Sequence, residues 1–230
     1  MGSCARDAGG IRRPAWRGWV AAAVVFLQAP AARAADIETR DFVVRVSGKP
    51  AGEVHMTIHR QDNGQVRMRC DTDIKVNLLV AKYTYLYRGL EVWKDGRVVR
   101  FDSNTDDNGK RYVVSAAPEA GGLRVKVNNV ERVVPADVWL SSYWCLPDPK
   151  LRDQPLAILD ADTGRDLDGR LRFVGTEQRG IASQLVNVNH FRLTGKVNAD
   201  LWYDGAERLV HQEWVEEGHR AALELTRVGR

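Results

Sequence analysis

Apolar and polar residues alternate with a period of two along most of this 230-residue chain, as strands with one buried face require. Residues 42–46 open the pattern, 48–52 read as a turn, and 54–59 return. Asp62-Asn63-Gly64 is a hairpin signal. Alternation then runs over 66–76, over 83–93 and, after Asp95-Gly96, over 97–104. A turn at Thr105-Asp106-Asp107-Asn108-Gly109-Lys110 leads to strands at 112–116 and 123–127. Later strands are expected at 170–177, 185–193, 200–203, 209–215 and 221–226.

One segment breaks the alternation. Residues 135–144 carry apolar side chains at helical spacing behind Pro135, which predicts a short helix of one to two turns. Pro147 and Pro149 end it, and a short apolar run follows at 156–159. The expected fold is all-β: an antiparallel meander forming a curled sheet or barrel-like domain, with the one short helix plugging a mouth or side. Closing or curling is how so many consecutive strands hide their edges.

The first 34 residues read differently. Arg6, Arg12, Arg13 and Arg17 precede an almost wholly apolar run at 18–27, and Ala32-Arg33-Ala34 has the small-x-small form of a cleavage site. That run is too short for a membrane span, which needs roughly 20 residues. Residues 1–34 are therefore expected to be a cleavable signal peptide, and 35–230 a single β-rich domain with no transmembrane segment. The general secretory route is favoured over the twin-arginine one, because Pro14-Ala15-Trp16 suits the latter poorly. Cys4 lies ahead of the apolar run, so it is no lipid-anchoring cysteine of a new N-terminus.

Removing the leader changes the charge. The chain holds 34 basic and 30 acidic residues; the leader takes five and one of these, leaving 29 of each. A neutral chain with interspersed signs offers no basic stripe, so nucleic acid is not an expected partner. Cys70 and Cys145 are the cysteines of the mature chain. They pair in an oxidising compartment if their Cα atoms come within about 7 Å; two separated buried thiols is the equal alternative.

Tyr83, Tyr85 and Tyr87 fall at i, i+2 and i+4, so their rings share one strand face. With Trp93, Trp139, Trp144 and Trp202 they are candidates for lining a ligand cavity, set against the plainer reading of a packed aromatic core. His55 and His59 would stand about 13 Å apart along a strand, too far for one ion. His211 and His219 could face each other across a hairpin, but a zinc site needs three or four converging ligands. The acidic runs 105–109 and 160–164 lack the later ligands of a calcium loop and read as turns. Ser141-Ser142 lacks a nucleophile elbow, and nothing places a histidine beside Cys145. No catalytic residue, metal ligand or cofactor is assigned.

Several segments together resemble a known group: Tyr85-x-Tyr87-Arg88, Glu91-x-Trp93-x-Asp95-Gly96, the 105–110 turn, Ser142-Tyr143-Trp144 and Leu201-Trp202-Tyr203-Asp204. The chain is similar, from about residue 42 to 225, to the exported bacterial domain-of-unknown-function family 6134. That family is broadly similar to the 3108-like β-rich exported proteins. The resemblance implies an exported, periplasmic, mostly β protein and no activity. Cys145 stands where the family pattern leads one to expect a polar residue such as Asn.

Three functional readings follow. The first is a non-enzymatic binding or carrier module for a lipid or other apolar ligand. The second is a structural or interaction protein that engages another envelope protein. The third is an enzyme acting on envelope polymers through carboxylates such as Glu91 or Asp106. A hollow interior would favour the first, a filled one the second, and a perturbed carboxylate pair in a cleft the third.

Overall fold

The computed structural model of the chain describes residues 36–78, 81–216 and 218–229. The expected signal peptide lies outside the described residues. Eight antiparallel strands come first: β1 (Asp36–Val46), β2 (Lys49–Arg60), β3 (Gln65–Leu78), β4 (Ala81–Lys94), β5 (Arg97–Asp107), β6 (Lys110–Glu119), β7 (Gly122–Val127) and β8 (Val130–Val134). The segment 135–168 holds two short parallel strands, β9 (Trp139–Leu140) and β10 (Ile158–Leu159), and one 3-10 turn at Pro149–Leu151. Five more antiparallel strands follow: β11 (Gly169–Ile181), β12 (Gln184–Gly195), β13 (Ala199–Tyr203), β14 (Leu209–Glu216) and β15 (His219–Gly229).

Thirteen strands form one sheet in the order β11-β12-β13-β14-β15-β1-β2-β3-β4-β5-β6-β7-β8. β1 is hydrogen-bonded to β15 on one side and to β2 on the other, so the free edges are β8 and β11, in the middle of the chain. The curled, unclosed meander agrees with the expected fold class. Asp95-Gly96 and Asn108-Gly109 have positive φ at both positions, as two-residue hairpin turns require. The first turn is tighter than expected: Ser47-Gly48 makes it, and Pro50 and Gly52 already belong to β2. β8 is additional to the expected strands, because its five residues show little alternation.

The inward faces carry the core, including Phe42, Met56, Ile58, Met68, Phe101 and Leu193, all buried. Segment 135–168 enters this interior as a plug: Trp139, Leu140, Trp144, Leu156, Ile158 and Leu159 are buried among the wall residues. Each such side chain contributes about 1.5–3 kcal/mol by leaving water.

The expected helix at 135–144 is not formed. Trp139 N donates to the Ala157 carbonyl at 2.9 Å and Ser141 N to the Leu159 carbonyl at 3.0 Å, so these donors are used across the plug. Three successive residues, Val138 to Leu140, are all buried. The apolar spacing therefore reflects enclosure on every side, and tertiary contacts override local propensity. Among the described residues no helix is long and apolar enough to cross a membrane.

Candidate functional site

Side chains distant in sequence tie the plug to the wall. Glu91, fully buried on the inward face of β4, accepts through Oε2 from the Trp93 indole at 2.7 Å and the Trp144 indole at 2.8 Å. Arg40, buried on β1, donates Nη1 to the Trp144 carbonyl at 2.7 Å and Nε to Glu38. The Tyr203 hydroxyl donates to the Tyr143 carbonyl at 2.9 Å. Ser103 and Thr105 donate their hydroxyls to the Ala161 and Asp162 carbonyls at 2.7 and 2.9 Å. Buried carbonyls of an irregular segment need such donors, since no ladder supplies them.

Burial pushes the pKa of Glu91 up, against the hydrogen-bond donors around it, which pull it down. The Ser142 hydroxyl lies beside this carboxyl. Yet neither Ser142 Oγ nor Glu91 Oε1 makes a hydrogen bond of good geometry with any described residue. The buried hydroxyls of Tyr87 and Tyr143 also have no partner among the described residues.

The tyrosine row runs from this point to the rim. Tyr83, 38% exposed, donates to Asp107 at 2.8 Å. Half-buried Tyr85 lies beside the Asp162 carboxyl. Tyr87 is 3% exposed, and its ring leans along β4 over Gly89: a Cβ at position 89 would lie 2.2 Å from the hydroxyl. Only glycine admits that close approach. Burial and then the neighbouring Asp160 carboxylate raise the Asp162 pKa to about 7. Asp160 itself serves its own turn, accepting from Asp162 N at 3.1 Å, Ser141 Oγ at 3.3 Å and Thr163 Oγ1. Asp106 likewise accepts from Gly109 N at 2.8 Å. The run 160–164 is thus a turn and 105–109 is the end of β5 with its turn, and among the described residues no His, Cys, Asp and Glu grouping could hold a metal ion.

A second arrangement lies on the outward face. Beyond a bulge between Phe173 and Gly175, the hairpin β11–β12 folds across the outside of β14, β15 and β1. Arg179 stacks 4.2 Å over the Trp202 ring and pairs with Glu213 at 2.8 Å. The Trp202 indole donates to Glu177 at 2.6 Å, and His190 stacks on its other side at 4.4 Å. Between the hairpin tip and Arg45, His211 and Glu224 lies an open groove of about 420 Å³. The tip residues Ala182 and Ser183 both have positive φ without being glycine. The edge of β11 beside this flap exposes Phe173 and Val174.

The model of a domain of unknown function, DUF6134, matches residues 42–226. The chain belongs to the DUF6134 family. No curated protein matches this DUF6134 chain. Among solved structures it is similar to a β-barrel-like protein of a domain of unknown function, DUF1849, from Brucella abortus. The TM-score is 0.59 at 8% identity, over 85% of this chain and 97% of that one. That likeness is one of fold. MucB is also matched, with a TM-score of 0.33 and 13% identity, over 84% of this chain and 53% of that one; the chain thus spans about half of MucB's length.

In this DUF6134 protein the segments that carry the family resemblance converge. Tyr87, Glu91 and Trp93 of β4, Ser142-Tyr143-Trp144 of the plug and Tyr203 of β13 meet at the seam between wall and plug. Of the aromatic cavity candidates, Tyr83, Tyr85, Tyr87, Trp93 and Trp144 lie along that seam. Trp139 packs within the plug, its ring 4.7 Å from that of Tyr143. Trp202 stands apart on the outward face under Arg179.

Cys70 and Cys145 are free thiols in this structure, one of the two alternatives the sequence left open. Cys70 faces inward on β3 opposite Met56 and Gly89, whereas the Cys145 backbone is bridged to Arg208, between β13 and β14. His211 and His219 do not face each other: the register sets His211 against Glu224 and His219 against Glu216. Sequence reasoning missed Glu38 and Arg40, although they share the parity of Phe42 and Val44 on β1. That parity was the available signal.

Proposed function

We propose that this DUF6134 protein is an exported, non-enzymatic interaction module of the bacterial cell envelope, engaging another protein through its outer surface. The observation that carries this reading is the occupied interior. The space in which a carrier would hold an apolar ligand contains residues of the plug, bonded to the wall through Glu91, Arg40 and Tyr203. Recognition is left to the exterior, where the β11 edge exposes Phe173 and Val174 and the flap borders a groove. Extended segments add to such edges through main-chain hydrogen bonds. The carboxylates offer an enzyme little: Glu91 has no access to solvent, Asp106 is engaged by Gly109 N and Arg111, and Asp160 is consumed by its turn.

The test is mass spectrometry on the full chain expressed in a bacterium and purified from its periplasm. A denatured mass beginning at Ala35 and a native mass free of small molecules would support the proposal. An apolar molecule released on denaturation would return the weight to the carrier reading. Retention of residues 1–34 would refute export.

A further inference from the structure

Three buried polar atoms have no hydrogen-bond partner among the described residues: Tyr87 Oη, Ser142 Oγ and Glu91 Oε1. Their proximity rests on separate observations. Ser142 is two residues from Trp144, whose indole bonds Glu91 at 2.8 Å, and lies at the Glu91 carboxyl; the Glu91 charge reaches Tyr87. The Tyr87 ring is laid over Gly89, which carries its hydroxyl along the strand towards position 91.

Such groups are rare in folded proteins. A buried polar group without a partner costs about 1–3 kcal/mol, and the usual remedy is an internal water with two to four polar partners. The tyrosine row has the same logic. Tyr83 donates to Asp107, and Tyr85 lies beside the Asp162 carboxyl. Tyr87 is the next in line, its hydroxyl at Gly89, and Glu91 is the buried carboxylate two residues further along the same face.

We propose that the wall–plug seam contains a water-binding site in which one internal water bridges Tyr87, Glu91 and Ser142. The Tyr87 hydroxyl donates to the water; the water donates to Glu91 Oε1 and to Ser142 Oγ. Glu91 then has both oxygens engaged, Oε2 by the two indoles and Oε1 by water. The site ties a wall strand to the plug through a ligand that belongs to neither. The proposal is independent of the interaction function.

A high-resolution crystal structure of the full protein, with denaturant unfolding of Tyr87→Phe and Ser142→Ala, tests it. The expected result is a density peak within hydrogen-bonding distance of at least two of the three atoms. Each substitution should lower the folding equilibrium constant roughly five- to tenfold. The double variant should lose less than the product of the two, because both groups share one water. The proposal is overturned if no peak lies between the three atoms. It is equally overturned if Tyr87→Phe is at least as stable as the parent, since removing a partnerless hydroxyl is harmless.

Discussion

Gly164 offers a sharp probe of how tightly the plug meets the wall. Its φ is +69°, and a Cβ there would lie 2.4 Å from Val127 Cγ2 and 3.1 Å from Val114 Cγ1, side chains of β7 and β6. Gly109 is the matched control, with φ +91° and nothing within 4 Å of the place a Cβ would take. Alanine at either site bears the left-handed backbone penalty of about 1–2 kcal/mol. Against this stands a gain of about 0.4–1 kcal/mol from a stiffer unfolded chain. Gly109→Ala should therefore cost about 1 kcal/mol. Gly164→Ala must also push core valines out of their rotamers, a further cost of about 1–3 kcal/mol, for a total of about 2–4 kcal/mol. Urea unfolding followed by tryptophan fluorescence measures both, with an unchanged m-value required for comparison. Equal losses in the two variants would refute the close docking on which the filled interior depends.

Other consequences are equally direct. Because the Asp162 pKa is raised from 3.8 to about 7 on folding, the native state holds this proton more tightly than the unfolded chain. Its contribution to stability is complete below about pH 4 and is lost as pH rises through about 7; Asp162→Asn should flatten that slope in unfolding measured across this range. Trp144→Phe leaves Glu91 with one indole donor and should cost about 1.5–3 kcal/mol by denaturant unfolding, hydrogen bonds to charged groups being the stronger ones; a loss below about 0.5 kcal/mol would contradict the clasp. Burial raises the Cys70 thiol to about 12 and pushes Cys145 up as well. Both should ignore a thiol reagent at pH 8 until the protein unfolds, and rapid labelling of the native protein would sink that expectation. Replacing Ala182-Ser183 by Asn-Gly at the flap tip should raise stability by about 1 kcal/mol, read as a higher melting temperature.

The strands were legible because a sheet with one buried face writes itself into sequence at every second residue. Residues 66–76 and 83–93 are examples, and Asn108-Gly109 marks its own turn. The plug was not legible, for a physical reason. Its backbone partners are Arg40 and Tyr203, more than fifty residues away on either side, and no local pattern announces them. Trp139-Leu140 looked helical because burial on all sides imitates a helical stripe. The seam was half visible: Tyr83, Tyr85 and Tyr87 could be placed on one face, and Glu91 and Trp93 share their parity. That a carboxylate at such a position is buried rather than solvated depends on Trp144, which only the fold brings to it.

The placement of β1 governs how the molecule must be assembled. Phe42 stands opposite Leu225, across more than 180 residues of chain, and closing so large a loop costs roughly 4–5 kcal/mol in chain entropy before the contact is rewarded. The earliest described strand therefore acquires its second neighbour only when the last one is present. Every other ladder of this sheet joins strands adjacent in the chain, so each half can form from local hairpins while the joint between them waits for the end of the chain. Proteolytic loss of the eleven residues of β15 would not trim an edge but split the sheet through its middle.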